Sequence, residues 1–277
     1  LALGWYNFYV PTPFYHLHLA EELINHLTSP KMLSIFLQTW RCVFLFGCTA
    51  PDVQVVSGQE RKETHFFNLP IQADDQPAWE VILAKYPQLH GTELHREGQK
   101  AFMAGYLCHL QADWLWVQQL FMPIFGPRCT WGTFRQRLYY HNILRAYLDL
   151  HILTELSAGM DNCLCKVEPD DWLPFVSDGH LRQWRDLIFQ QLKPGAAPQT
   201  VEVFSSRQGI SAPEYYALLE SEDRMQAEVF THIPLWLVQS YQRSVIQENI
   251  RLLSNYLAFS LHRAGKPKGN IFQRVHP

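Results

Sequence analysis

The chain has little charge. Only 18% of its 277 residues are Asp, Glu, Lys or Arg, and 23 basic residues stand against 26 acidic ones for a net charge of −3. Without a basic surplus there is no electrostatic footprint for duplex nucleic acid. Long apolar runs are also missing. The richest, Val43-Phe44-Leu45-Phe46, is stopped by Gly47, far short of the roughly 18 residues a membrane helix needs. Cysteine is sparse, six in the whole chain, too few for a disulfide scaffold. Cys42, Cys48 and Cys108 sit among apolar neighbours and read as small buried hydrophobes. Cys163 and Cys165 are too close for an easy mutual bridge and read as loop thiols. The opening Leu1-Ala2-Leu3-Gly4-Trp5 has no basic stretch and no complete apolar signal core, so no intact signal peptide is expected. A reducing, cytoplasmic setting follows, with secretion as the minor alternative.

What is present is apolar and aromatic: 47% hydrophobic residues and 14% aromatic ones. That excludes disorder and suffices for a sizeable core. Period-two alternation is weak, with 200–204 as the sole candidate strand. Helix signals follow one another instead. Thr12-Pro13 reads as a cap and first-turn proline opening a helix to about Leu27. Ser29-Pro30 repeats that signal for a helix ending at Gly47. Residues 48–76 read as a long ordered loop and 77–86 as a short helix. Long helices are expected from Thr92 to about Leu120, ended by Pro123, and from Thr133 to Ala158, ended by Gly159. Shorter helices around Trp172 and over Leu181–Leu192 lead to a Gly/Pro/Ala linker at 194–198. Residues 211–262 are helical again, with a kink at Pro234. The expected fold is an all-α multi-helix bundle around one core, a single domain over 1–277 with its chemistry in 11–158 and a helical half, 160–277, without motifs.

The 13 histidines are the feature that needs explaining, because buried imidazoles are common metal ligands. On a wheel of 100° per residue, His16 falls in the arc of Leu19, Ala20, Leu23 and Leu27, whereas His18 falls with Glu21, Glu22 and Asn25. His109 and Asp113 are one turn apart on the apolar face with Phe102, Gly105, Trp116 and Leu120. A carboxylate there is costly unless paired or bound to a cation, and an imidazole one turn away chelates without backbone strain. Gly105 would let another element approach closely. Asp52 follows a rigid proline just past a helix end, where a turn residue is the ordinary reading. His65 precedes Phe66-Phe67, so the loop turns inward there. His151 and Glu155 are one turn apart and His141 lies within about 80° of both, a further candidate site or simply a mixed polar face. His26, His90, His95, His180, His232, His262 and His276 stand in polar or terminal contexts.

Pro11-Thr12-Pro13-Phe14-Tyr15-His16-Leu17, Ala50-Pro51-Asp52, Thr64-His65-Phe66-Phe67 and Gly105-Tyr106-Leu107-Cys108-His109-Leu110-Gln111-Ala112-Asp113 occur in that order. The series resembles the zinc-dependent phospholipase C family, whose fold is shared with the P1/S1 nucleases. It covers roughly residues 11–120, with a looser continuation to about 158. The resemblance implies that Asp52, His65, His109 and Asp113 hold one zinc ion. It further implies that Asp113 bridges to a second ion bound by His16, and that His141, His151 and Glu155 complete a third site. The chain departs from the family at its N-terminus, where Trp5 would be a terminal ligand only after cleavage behind Gly4, and in the long gap from Asp113 to His151.

The implied activity is hydrolysis of a phosphodiester, a phospholipid among the candidates, by a metal-activated water. Asp52 serves as ligand or general base, and Arg61 and Lys62 are candidate phosphate contacts or a solvated charge pair. Two other readings stay open. A P1-type nuclease would need stacking platforms, for which Trp114 and Trp116 are candidates, Trp116 pointing at the core. A non-catalytic helical scaffold would keep a closed metal site.

Overall fold

The computed structural model describes residues 10–28, 30–156 and 158–263, with side chains to 257. Trp5 and His276, and the side chain of His262, lie outside the described residues. The described residues form helices and no strand. Thr12 caps α1 (Pro13–His26) by accepting from the Tyr15 amide, with Pro13 in the first turn, as its sequence implied. The long helix expected up to Gly47 is instead two, α2 (Lys31–Thr39) and α3 (Arg41–Gly47), broken at Trp40. The segment read as a loop holds a 3₁₀ turn at Ala50–Val53 and two short helices, α4 (Gln54–Ser57) and α5 (Arg61–His65). A reciprocal cap between Glu60 and Glu63 supports α5, a local signal that outweighs the absence of periodicity.

After α6 (Ala78–Lys85) comes the long α7 (Glu97–Trp116), which runs on as a π-helical turn, Val117–Phe125, through Pro123. The expected end at Pro123 is thus an expanded turn, where a wider ring tolerates the missing amide donor. Helix α8 (Phe134–Ile152) opens on a capping box at Thr133 and ends six residues before Ala158. Helices α9 (Met160–Leu164) and α10 (Asp178–Leu192) follow. Trp172 lies between them outside any helix and packs against Phe102, ring centroids 4.9 Å apart. The candidate strand at 200–204 is helical, part of α11 (Thr200–Gln208): with Val201, Phe204 and Ser205 buried, it keeps a helical spacing rather than alternation. The C-terminal helices are α12 (Ala212–Leu219), α13 (Glu222–Arg224) with a π turn at Met225–Phe230, and α14 (Leu235–Arg263). Pro234 marks a break before α14 rather than a kink within a continuous helix. Among the described residues no helix is long and apolar enough to cross a membrane.

The apolar interior has two clusters where one core was expected. One gathers Leu17, Leu23, Phe44, Phe102, Leu110 and Trp184; the other gathers Phe14, Trp116, Leu144, Phe204 and Tyr241. Helices α1 and α7 contribute to both and run between them. Consequently α7 has no polar face at all: from Gln99 to Trp116 only Lys100 and Leu115 are not buried. Such a helix is interior on every side.

Two cysteine assignments change. Cys42 on α3 and Cys163 on α9 form a disulfide, so neither is a free thiol. Sequence could not show it, because the partners are 121 residues apart and only the fold joins α3 to α9. Cys48 and Cys108 remain free and buried.

Helix α3 crosses α7 with backbones nearly touching. A Cβ on Gly105 would lie 2.2 Å from the Phe44 carbonyl oxygen, and one on Gly47 would lie 2.1 Å from that of Phe102. Both obstacles are backbone and cannot swing aside. Gly98, on the same α7, has side-chain atoms alone nearby, the edge of Trp40 at 3.4 Å and Trp172 at 4.0 Å. Gly105→Ala is therefore expected to destabilise the protein by about 1–3 kcal/mol. Gly98→Ala should be neutral or stabilising by up to about 1 kcal/mol through helix propensity. Equal urea midpoints for the two variants would contradict the close crossing.

Candidate metal centre

The crossing of α3 on α7 delivers the site. Immediately after Gly47 the chain turns, and the Cys48 carbonyl meets His109 Nδ1 at 2.8 Å, one turn beyond Gly105. The following 3₁₀ turn carries Asp52, whose amide donates to the Thr49 carbonyl at 3.1 Å. Helix α5 then ends at His65, and Phe66 adopts a left-handed backbone with φ of 59°. That reversal drives Phe66 and Phe67 into the interior, where Phe67 meets Trp114 with centroids 5.5 Å apart. The inward turn expected at Phe66-Phe67 is thus present. Helix α1 brings His16, whose ring stacks on that of His109 at 3.7 Å.

Five side chains from α1, the 3₁₀ turn, α5 and α7 converge. His16, His65, His109 and Asp113 are all at most 2% exposed, and Asp52 is 8% exposed. His65 Nε2 and His109 Nε2 lie 3.3 Å apart. Asp52 Oδ1 lies 3.5 Å from His65 Nε2, and Asp113 Oδ2 lies 3.6 Å from His65 Nε2 and 3.7 Å from His109 Nε2. Asp113 Oδ1 reaches His16 Nε2 at 3.1 Å. Two triplets have ligand atoms mutually close enough to hold a metal ion: Asp52/His65/His109 and His16/His109/Asp113.

Proton placement decides what this cluster is. A neutral His109 gives its Nδ1 proton to the Cys48 carbonyl, so its Nε2 carries a lone pair. Thr64 Oγ1, 3.0 Å from His65 Nδ1, has its own acceptors in Gln54 Oε1 and the Arg61 carbonyl, both at 3.2 Å. It therefore accepts from His65, whose Nε2 is also left with a lone pair. Two lone pairs facing at 3.3 Å repel unless a cation lies between them. Ligands about 2.0–2.1 Å from a tetrahedral zinc ion are spaced by about 3.3 Å. The imidazoles are also neutral by environment. Burial pushes His16 down to about 4 and His109 down to about 3, and drives His65 well below its ordinary value, with the nearby Arg61 acting the same way on His65. The carbonyl and hydroxyl behind the rings supply the outer support that orients ligating histidines. The residues fit one ion of a metal with nitrogen and oxygen preference. His109 Nε2 belongs to both triplets and can serve one ion only.

Arg61, a candidate phosphate contact or half of a solvated charge pair by sequence, is instead buried and donates from Nη2 to Asp113 Oδ2 at 2.5 Å. It lies one turn before His65 on the same face of α5, and that spacing was the signal available in sequence. Its guanidinium sits 4.5 Å over the Phe67 ring. Asp113 is therefore paired on both oxygens, to His16 and Arg61. Lys62 stays at the surface beside Glu60.

His141, His151 and Glu155 are not brought together. His141 is buried and accepts from Trp116 Nε1 at 3.0 Å, between Phe121 and Phe125. His151 is exposed against Tyr147, and Glu155 is exposed 3.8 Å from His18. Helix α8 ends at Ile152, so the turn that would align His151 with Glu155 is not formed. His18, placed on the solvent side in sequence, is half-buried against Gln242.

A cavity of about 190 Å³ opens beside the cluster, and Asp52 is the only one of the five candidate ligands lining it. Its walls include Phe14, Trp184, Ile188 and Phe204, and its charged members besides Asp52 are Arg145 and Arg207. Asp149, behind it on α8, accepts hydrogen bonds from Thr12 Oγ1 and, at 2.6 Å, from Thr200 Oγ1. Burial pushes its carboxyl up to about 6. Sequence reading passed over Arg145, Asp149 and Arg207. The first two are one turn apart on α8, but nothing local shows that α11 would close over them.

Comparison of the chain with models of protein families, with characterised proteins and with solved structures returns no match.

The depressed histidines give a pH dependence. Below an ordinary value of 6.5 the unfolded chain takes up protons that folded His16 and His109 refuse until about 4 and about 3. The unfolded state thus binds more protons, and stability falls as pH falls through that window. Metal-free protein should lose about 1 kcal/mol per pH unit per imidazole between pH 6.5 and about 5, offset in part below about pH 6 by Asp149, whose raised carboxyl takes up a proton in the folded state before the unfolded chain does. His16→Gln should make the loss shallower. A urea midpoint flat over that interval would contradict neutral buried imidazoles.

Proposed function

We propose that this chain is a zinc-dependent hydrolase of phosphodiester bonds, phospholipase C-like in its site. One observation carries the reading: two histidine lone pairs face each other between two carboxylates, and one of those carboxylates, Asp52, also lines a cavity. His65, His109, Asp52 and Asp113 would hold the ion, with His16 stacked on His109 and bonded to Asp113. Bound there, zinc would lower the pKa of a water towards neutrality and polarise a phosphoryl oxygen.

The protein's own groups supply the rest. Asp52 is the side chain through which cavity and cluster meet, so it is placed to orient a water at the ion's edge as well as to ligate. Arg61 offsets the charge of Asp113 and keeps its carboxylate directed into the cluster. The apolar walls exclude water around a bound substrate and suit a phosphodiester with an apolar substituent. Trp114 and Trp116, which a nuclease would use for base stacking, are buried. That supports the phospholipase-like reading over the nuclease one. The α3–α9 disulfide supports an oxidising compartment over the cytoplasm.

The near-complete burial of His16, His65, His109 and Asp113 favours one competing reading, a structural ion in a non-catalytic scaffold. Hydrolysis of bis(p-nitrophenyl) phosphate separates the two. Zinc-loaded protein should turn over the ester, and His109→Ala should lose at least about a hundredfold, as expected when a ligand to the activating ion is removed. Full zinc occupancy without hydrolysis would overturn the enzyme reading and leave the scaffold.

A further inference from the structure

The cavity holds two arginines against one lining carboxylate, Asp52, which acts on both of them only at a distance, as Asp149 does on Arg145. Arg145 is 4% exposed, and its guanidinium lies 4.3 Å over the Phe204 ring. Its Nη1 donates to Asn142 Oδ1 at 3.1 Å, while its buried Nε has no hydrogen-bond partner. Asp149, one turn further along α8, would be the natural counter-ion. Its two oxygens are instead taken by Thr12 and Thr200, the residues that open α1 and α11. Among the described residues no carboxylate lies within ion-pair distance of Arg145 or of Arg207. A buried cation without a direct partner is expensive. Both arginines face the same cavity.

We infer that this cavity is a binding site for a small anionic amphiphile, with Arg145 and Arg207 gripping the anion and an apolar substituent lying on Phe14, Trp184 and Ile188. Guanidinium is suited to a phosphate oxygen, which takes its planar fork without further rearrangement. Arg145 has its aromatic face already stacked and its Nε free. Arg207, exposed on α11, closes the anion from the solvent side. At about 190 Å³, the cavity is below the ~300–1,000 Å³ of ordinary drug-sized sites. It therefore takes a head group and the start of a chain rather than a whole lipid. This deepens the phosphodiesterase reading by naming the residues that select its substrate. It rests on that reading only in setting the anion beside Asp52.

Titration calorimetry of the 277-residue chain in zinc-free form tests it with three probes: hexyl phosphate, inorganic phosphate and hexyltrimethylammonium. Hexyl phosphate should bind about tenfold tighter than inorganic phosphate, from the added apolar contact, and hexyltrimethylammonium should not bind. Arg207→Ala, at an exposed position, should weaken hexyl phosphate about tenfold or more with an unchanged unfolding temperature. Arg145→Lys should weaken it comparably, since an ammonium does not reproduce the stacked fork. Equal binding of the cationic and anionic probes, or an Arg207→Ala protein that binds like the parent, would overturn the inference. Equal affinity for the two phosphates would overturn its apolar half. Zinc uptake, measured by adding zinc to a separate portion of each preparation, keeps the two readings apart: protein that takes up no zinc yet binds hexyl phosphate through Arg207 sinks the metal reading alone.

Discussion

The contact on which the site depends is backbone against backbone. Gly47 on α3 and Gly105 on α7 let the two helices meet where any side chain would force them apart. Everything near the candidate centre is measured from that point. Because α3 lies so close, its exit turn passes over α7 at His109, and the Cys48 carbonyl takes the imidazole proton. The same exit leads within four residues to Asp52, and α5 then carries Arg61 and His65 back over the same stretch of α7. A shift of α3 outward would move the carbonyl, the carboxylate and the α5 residues together. The glycines therefore act on the chemistry without touching a ligand.

Burial then sets the electrostatics. A nearly dry pocket penalises charge on every histidine, so all three are neutral: His65 and His109 present Nε2 lone pairs to each other, while His16 gives its Nε2 proton to Asp113. The carboxylates need compensation, and Arg61 gives Asp113 part of it. What stays unbalanced is a set of nitrogen and oxygen acceptors spaced as tetrahedral ligands are. On the far side of Asp52 the imbalance has the opposite sign. There Arg145 and Arg207 face a cavity with no carboxylate paired to them, while Asp149 is spent on holding the first turns of α1 and α11. Acceptors on one side of Asp52 and donors on the other describe a boundary between a cation and an anion.

Much of this was legible in the chain, for reasons that differ by residue. Thr12-Pro13 and the phase of His16 depend only on local helix geometry, and α1 forms as they imply. The i, i+4 pair of His109 and Asp113 depends on helix geometry and on α7 being buried, which its apolar content made plain. Gly105 was readable as a point of close approach, though not which helix would use it. Asp52 and His65 carry no periodicity, so their place came from resemblance to a family pattern, and their convergence with His109 rests on tertiary contacts. What failed to show was non-local in each case. The Cys42–Cys163 bond joins helices with a long stretch of chain between them. The expected single helix breaks at Trp40, where the backbone leaves helical values with φ of −105° and ψ of 25° although no proline or glycine marks the spot. The turn needed for His151 and Glu155 to share a face is not formed, since α8 ends at Ile152. Arg145 carries no local signal, and its burial comes from α11 closing over α8.

X-ray absorption spectroscopy at the zinc edge, on protein purified without added metal or chelator, tests the central claim most directly. Burial pushes the Cys48 and Cys108 thiols up, which keeps them protonated and out of the coordination sphere. The expected result is one zinc per chain, with about four nitrogen and oxygen ligands near 2.0–2.1 Å, imidazole scattering and no sulfur. A shell of sulfur at about 2.3 Å, or protein that holds no stoichiometric metal, would contradict a His/Asp metal centre.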